Sequence, residues 1–228
     1  SRRGGRETIM DRVIGFYGTT VGKKVLMAVT GIILFAYVVG HMLGNLQIYI
    51  GEERINAYAE LLHSSGALLW TARLVLLFCV GVHILAAVQL WLRNRASRPV
   101  KYKVFRPPEV DYAARTMVWS GPIIAAFVLY HILHFTTGHV HPDYQHVKPF
   151  HNVIVGFSQP GAAVFYIVAN ILLAVHLYHG VWSFFQTMGW DHPRYGSSRR
   201  WLAIAAAAII GAANVSIPLA VLTGVLHL

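Results

Sequence analysis

Five stretches of the chain are almost wholly apolar, and polar segments separate them. They cover residues 25–48, 67–92, 116–138, 160–188 and 201–226. Because a helix rises 1.5 Å per residue, about 20 apolar residues cross a hydrocarbon core of roughly 30 Å. Lipid-facing backbone must satisfy its own hydrogen bonds, and the sequence lacks the short alternating segments that a closed barrel needs. The pattern therefore predicts an all-α integral membrane protein with five transmembrane helices.

Composition supports this class. Of the 228 residues, 56% are hydrophobic and 12% are charged, whereas ordinary soluble domains contain about 25% charged residues. This balance excludes a disordered tail and argues against a soluble enzyme. We expect one transmembrane domain over residues 1–228. The polar segment before the first span is too long for a cleaved signal peptide, so the first span is expected to be retained.

The distribution of positive charge predicts the orientation of the helices. The formal net charge is +10, and 16 of the 19 Lys and Arg lie before residue 25, between 92 and 116, or between 188 and 201. Since Lys and Arg concentrate in the cytoplasmic loops of membrane proteins, we predict a cytoplasmic N-terminus and an external C-terminus. The charge is thereby explained as a topology signal, and no nucleic-acid partner is expected.

The chain contains a single cysteine, Cys79, which lies inside the second apolar stretch. One cysteine cannot form a disulfide within the chain, and it cannot build a cysteine-ligated iron–sulfur or zinc site. Any such cluster that works with this protein must therefore belong to a partner subunit.

Four of the five spans contain a histidine at bilayer depth, where ionisable side chains are costly and usually face the bundle interior. The position of each histidine within its span gives its depth: His41 and His131 lie toward the outer face, and His83 and His176 lie toward the cytoplasmic face. Two such pairs would suit two stacked b haems with axial histidines. Helix–helix hydrogen bonding or a proton path are the alternatives for each histidine taken singly.

Two of these spans contain a second histidine. His134 lies closer to the outer end of its span than His131, so depth favours His131 as the partner of His41. His179 follows His176 by less than one helical turn, and depth separates these two less clearly. Glycines adjoin several of the histidines and would let a flat macrocycle approach a helix, although glycine is also common where helices pack. They are Gly40, Gly44, Gly81 and Gly180.

The residues around the first histidine resemble a known family. The segment 22–31 (GKKVLMAVTG) and the segment 40–46 (GHMLGNL) resemble the first helix of the membrane-anchor subunit of succinate dehydrogenases and fumarate reductases. Residues 56–64 and the segment 176–190, with its Gly-Val-Trp and Gly-Trp, are also similar to that subunit. The resemblance covers nearly all of the chain from about Met10 to the end of the fourth span. Four histidine-bearing helices in one chain are similar to the fused, five-helix cytochrome b type with two haems.

This resemblance implies a membrane anchor and electron carrier of a succinate:quinone oxidoreductase of the tricarboxylic acid cycle, in the plasma membrane of a prokaryote. The first four helices would form a bundle that binds two b haems. His83 and His176 would ligate the inner haem, and His41 and His131 the outer haem. A flavoprotein subunit carrying FAD and an iron–sulfur subunit would dock on the cytoplasmic face. The chain alone would have no dehydrogenase activity, and its quinone is predicted to be menaquinone.

A quinone site needs hydrogen-bond donors and a proton source at the membrane edge. On the outer side the sequence offers four candidates, with Glu60 as the acid, and an ordinary polar loop explains the same residues equally well. These candidates are Tyr58, Glu60, His63 and Arg73. The family also has an inner quinone position near the first helix, and the sequence does not choose between the two. The residues expected there are Thr20, Lys23 and Lys24.

Two other classes of membrane protein compete with this interpretation. The first is another two-haem cytochrome b that reacts with quinol, such as the bc-complex subunit or the cytochrome partner of a formate dehydrogenase or hydrogenase. The bc type places two ligands on each of two helices, one for each haem, and no span here has two histidines at that separation. The second is a transporter with a histidine proton relay, which would need acidic partners that the spans essentially lack.

Overall fold

A computed structural model of the chain describes residues 8–97 and 112–228. All regular structure in these two ranges is helical. The helices, in chain order, are α1 (Ile9–Gly18), α2 (Thr20–Asn45), α3 (Glu52–Ser64), α4 (Gly66–Ala96), α5 (Tyr112–His131), α6 (Pro149–Phe157), α7 (Pro160–Thr187) and α8 (Gly196–Leu222). A 3₁₀ turn, Leu46–Tyr49, extends α2, and a π-helical turn, Ile132–Thr136, extends α5.

Five of these helices, α2, α4, α5, α7 and α8, are long and apolar enough to cross a membrane, which confirms the predicted number of spans. The protein is therefore a multi-pass membrane protein. The fifth span was expected to continue to residue 226, but α8 ends at Leu222. Gly224 adopts a positive φ of 73°, and this left-handed residue turns the backbone out of the helix.

Three short helices, α1, α3 and α6, lie outside the spans and were not predicted. Their lengths of 10, 13 and 9 residues are too short to cross a bilayer. α1 begins with a capping box, in which the Asp11 amide donates to the Thr8 hydroxyl and Thr8 donates to the Asp11 carboxylate. The side-chain and backbone hydrogen bonds from Thr8 hold the pKa of Asp11 below its ordinary value.

The spanning helices form a bundle in which α7 has a central place. Close backbone packing joins α2 with α4 and α7, and it joins α7 with α5 and α8. The α7–α8 contact is close because Gly211 faces Ala174, where a Cβ on residue 211 would lie 2.8 Å from the alanine Cβ. Many large apolar side chains outside these contacts are exposed, as expected of a lipid-facing surface.

The two ends of the bundle differ. At one end, called the α1 end here, α1 packs on the start of α2, and the Tyr17 hydroxyl donates to Gln89 near the end of α4. At the other, the α3 end, α3 packs on α6. The predicted cytoplasmic side corresponds to the α1 end. Many of the basic residues on which that orientation depends lie within 1–7 and 98–111, outside the described residues.

A buried arginine fixes the connection between α7 and α8 at the α1 end. Arg199 pairs with Asp191 at 2.5 Å and donates to the Trp190 carbonyl at 2.6 Å. Its guanidinium also donates to the carbonyls of His192 and Tyr195. A charged hydrogen-bonded network of this kind makes the connection a defined structure rather than a free loop.

Candidate functional site

His83 on α4 and His176 on α7 face one another inside the bundle. Their ring centroids are 6.4 Å apart, with 60° between the ring planes. Both side chains are only partly exposed. Although α4 and α7 are not among the closely packed helix pairs, their histidines approach across the space between them. The sequence placed these two residues at the same depth, and the structure brings them together.

The orientation of His83 is set by α2. Its Nδ1 lies 3.1 Å from the Met27 carbonyl oxygen and 3.2 Å from the Thr30 hydroxyl. A carbonyl can only accept, so these partners assign the proton to Nδ1 and leave a lone pair on Nε2. Gly31 makes room for the ring, since a Cβ there would lie 3.3 Å from His83 Cε1. A histidine that donates through one nitrogen to a carbonyl is oriented to ligate a metal through the other.

His41 on α2 and His131 on α5 form a second facing pair. Their ring centroids are 5.7 Å apart and the rings are nearly perpendicular. Tyr37, one turn before His41, stacks on its ring at 5.5 Å. Aromatic rings surround His131, each with its centroid 5.8 Å away: Phe127, Phe135 and Tyr166. The outer pair predicted from depth therefore also meets in the bundle.

The two pairs lie at different levels of the membrane. Thr30, which contacts His83, and His41 are 11 residues apart on α2. At 1.5 Å per residue this separates the pairs by about 16 Å along the helix axis. The His83–His176 pair lies nearer the α1 end and the His41–His131 pair nearer the α3 end, which is the stacked arrangement expected from the sequence.

The geometry of both pairs fits a metal with two axial imidazoles. Imidazole nitrogens lie about 2.0–2.1 Å from a bound metal, so two rings on opposite sides of one iron have centres roughly 6 Å apart. Among the described residues, three buried side-chain nitrogen or oxygen atoms have no hydrogen-bond partner. Two of them are Nδ1 of His131 and Nδ1 of His176. Nδ1 is the nitrogen that a histidine turns away from a metal bound at Nε2, so these two atoms would need hydrogen-bond partners of their own.

A haem needs no larger cluster of protein ligands. Among the described residues there is no group of three or more His, Cys, Asp or Glu side chains that could hold a bare metal ion. In a b haem the porphyrin supplies four nitrogens and the protein only the two axial ligands. Two isolated pairs of histidines inside an apolar bundle therefore suit haem iron better than zinc or another free cation.

His134 has a different environment from His131. Its ring is 1% exposed, and Nδ1 lies 3.1 Å from the Tyr166 hydroxyl. The ring centroids of His134 and His141 are 5.0 Å apart, and Nε2 of His141 donates to the Asn152 carbonyl oxygen at 2.8 Å. His134 thus belongs to a packed cluster that joins α5 and α7 to the segment before α6. His179, the second alternative ligand, is partly buried on α7 less than a turn beyond His176.

Gly156 on α6 makes room for His134, which leads to a test of this cluster. A Cβ at Gly156 would lie 3.0 Å from His134 Cε1 and 3.0 Å from Phe135 Cε1, whereas a Cβ at Gly161 would meet nothing within 4 Å. We expect Gly156→Ala to lower the free energy of unfolding by about 1–3 kcal/mol through overpacking. Gly161→Ala should leave it unchanged or raise it, since alanine favours helix. Thermal unfolding of both variants in detergent measures the difference, and equal stability would contradict the close contact.

The predicted outer quinone residues divide into two groups. The Tyr58 ring lies against Gly44, where a Cβ would be 2.7 Å from its Cε1. Arg73 lies over the Trp70 ring, 5.1 Å from the centroid. Gly44 follows His41 on α2 by three residues, so Tyr58 lies within about one turn of His41, on which Tyr37 stacks. Tyr37 was not predicted as a site residue, because a tyrosine in an apolar run is usually a packing residue.

Glu60 and His63 are exposed on α3. His63 Nδ1 lies 2.8 Å from the Ala59 carbonyl of its own helix, and its ring is 5.7 Å from that of His146 in the α5–α6 connection. These contacts link α3 to the neighbouring loop. The structure therefore packs Tyr58 within about one turn of His41 and Arg73 on Trp70, while Glu60 and His63 are exposed on α3.

The inner quinone candidates lie at the junction of α1 and α2. Lys23 is 5% exposed, and its ammonium donates to the Tyr17 carbonyl at 3.1 Å and lies 3.8 Å over the Tyr17 ring. Thr20 and Lys24 are exposed. A lysine bonded to the last carbonyls of a helix caps it, so Lys23 has a structural role at the end of α1.

No family model, no curated protein and no solved structure matches this chain. The likeness to the succinate dehydrogenase anchors therefore rests on the sequence segments quoted above.

Proposed function

We propose that this chain is the two-haem cytochrome b anchor of a succinate:quinone oxidoreductase in a prokaryotic plasma membrane. The observation that carries the proposal is the presence of two facing histidine pairs, about 16 Å apart along α2, in a bundle of membrane-crossing helices. The resemblance of residues 22–31 and 40–46 to the first helix of such anchors supports this family among two-haem cytochromes.

Each pair would hold one b haem, with His83 and His176 as the axial ligands of one and His41 and His131 of the other. Bound haem supplies reversible one-electron chemistry at its iron. The bundle supplies apolar surroundings for the pairs, and α2 orients His83 through Met27 and Thr30. Tyr37 packs on His41 and restricts the rotation of its ring.

In this proposal the α1 end faces the cytoplasm and receives electrons from an iron–sulfur subunit, which in turn receives them from a flavoprotein that carries FAD. Exposed basic side chains at this end, Lys24, Arg93, Arg95, Arg194 and Arg200, support docking of acidic protein surfaces and fit the positive-inside orientation. The Arg199 network gives the α7–α8 connection a fixed shape at the same end.

Electrons would leave at the α3 end to a membrane quinone, proposed to be menaquinone. Tyr58 and Arg73 are the side chains that support a site there, because Tyr58 packs on Gly44, three residues beyond His41 on α2, and Arg73 lies near the start of α4 at the same end. A hydroxyl and a guanidinium are hydrogen-bond donors, which is what the two carbonyl oxygens of a quinone need. Exposed Glu60 on α3 would exchange protons with the external solution.

A spectrum of the purified chain tests the proposal. We expect the reduced-minus-oxidised difference spectrum to contain the bands of low-spin b haem, and the haem content to be two per chain. The reason is that each facing pair offers both axial ligands within an apolar site. A transporter that uses its histidines as a proton relay would show no haem bands, and that outcome would reject the proposed function.

A further inference from the structure

The third unpaired buried atom of the described residues belongs to Ser120 on α5. Its side chain is 1% exposed and its Oγ has no hydrogen-bond partner. A serine within a helix usually donates to a carbonyl of its own preceding turn or to a neighbouring helix. A buried hydroxyl without a partner is costly in an apolar interior, so the position of Ser120 requires an explanation.

Helix counting from the contacts between α5 and α7 at Tyr166 gives Ser120 about the same level as His176. The two helices are antiparallel, and Phe127 and His131 of α5 both contact Tyr166 of α7. Ser120 precedes Phe127 by 7 residues and His131 by 11 residues, and it shares their face of α5. The corresponding steps along α7 lead from Tyr166 to residues 173 and 177, a turn that includes His176.

His176 needs a partner at this level, since its Nδ1 is the unpaired buried nitrogen. The other unpaired nitrogen, Nδ1 of His131, lies three turns farther along α5 and is out of reach of Ser120. Among the described residues, Ser120 Oγ is the one other unpaired buried oxygen, and helix counting places it at the level of His176. Nδ1 of His176, when protonated, lacks an acceptor, and the Ser120 hydroxyl oxygen lacks a donor.

The opposite side of the same pair already shows such an arrangement. The Thr30 hydroxyl donates to the Leu26 carbonyl of its own helix at 2.8 Å. The same hydroxyl oxygen lies 3.2 Å from Nδ1 of His83 and can accept from it. A hydroxyl on a neighbouring helix therefore contacts the nitrogen of His83 that faces away from a ligand position. Ser120 carries the same functional group at the level of His176.

We propose that Ser120 is a positioning residue of the inner haem site, which accepts a hydrogen bond from Nδ1 of His176 when Nε2 of His176 is ligated. This inference rests on the proposed function. The hydrogen bond fixes the ring orientation and tautomer of His176 and increases the electron donation of its Nε2, as partners of metal-bound histidines do. Because stronger donation stabilises ferric over ferrous iron, Ser120 lowers the reduction potential of the haem that it serves.

Redox titration of the full chain tests this role, with both haems followed separately by their absorption bands and ferric electron paramagnetic resonance signals. Ser120→Ala should raise the midpoint potential of the His83–His176 haem, shift its ferric signal and weaken its binding about 10-fold or more. The other haem should keep its potential and occupancy, which also shows that the variant is folded. Ser120→Thr retains the hydroxyl and should restore the wild-type potential.

Ser216→Ala on α8 is the matched control, because that hydroxyl already donates to the Ala213 carbonyl of its own helix. It should change neither haem. Wild-type potentials in Ser120→Ala would overturn the inference while leaving the two haems and the proposed function in place. Equal shifts of both haems would also overturn it, since they would indicate a general packing defect. A chain that binds no haem would reject the proposed function itself.

Discussion

Replacing His83 with alanine is expected to reduce the haem content of the purified chain from two to one. The imidazole of His83 faces that of His176 at 6.4 Å, so its loss leaves one of the two irons with a single axial ligand from the protein. His176→Ala should remove the same haem. His41→Ala and His131→Ala should remove the other, because their rings face each other at 5.7 Å.

Haem stoichiometry, measured chemically and by the difference spectrum of each variant, checks this expectation. His139→Ala is the matched control: its Nδ1 contacts the Thr137 hydroxyl in an exposed loop, and its removal should leave both haems. Full occupancy in any of the four variants would reassign that ligand, to His134 in the case of His131 and to His179 in the case of His176. Since both haems would fill space between helices, variants that lack one should also assemble poorly.

The spans could be predicted from the sequence because their signal is local. Twenty or more apolar residues are sufficient to require a membrane-crossing helix, whichever neighbours it has. The ends of the helices depend on finer features, such as the positive φ of Gly224, which stops α8 four residues early. The short helices α1, α3 and α6 were missed because 9 to 13 residues give a weak periodic signal and their stability comes from packing.

The four histidines could be grouped into pairs from depth alone, since rise per residue fixes the level of each side chain in a straight span. The hydrogen-bond partners that other helices supply to these histidines could not be predicted. The Met27 carbonyl at His83 and the Tyr166 hydroxyl at His134 come from helices distant in sequence. These contacts distinguish a histidine with a free Nε2 from one that is packed in a core, and only the tertiary arrangement contains them.

The separation of the two pairs has an energetic consequence for the proposed complex. About 16 Å along α2 is roughly half of a 30 Å hydrocarbon core, so an electron that moves from the His83–His176 level to the His41–His131 level crosses about half of the membrane field. A full crossing is worth about 2.3 kcal/mol per 100 mV, so two electrons gain roughly that much between the pairs. With the α1 end in the cytoplasm, the gain favours transfer toward the outer face.

We therefore expect succinate-to-quinone electron transfer in intact cells to slow when an uncoupler collapses the membrane potential. Reduction of a low-potential quinone such as menaquinone by succinate is uphill, and the electron movement across the bundle would couple it to the potential. Oxygen consumption with succinate, measured with and without uncoupler, gives the result, and a substrate whose electrons bypass this complex is the control. If the succinate rate is unchanged or faster, the working quinone site lies at the α1 end, near Thr20, Lys23 and Lys24. In that case Tyr58 and Arg73 have no part in quinone reduction, and the His41–His131 pair lies beyond the path of the electrons.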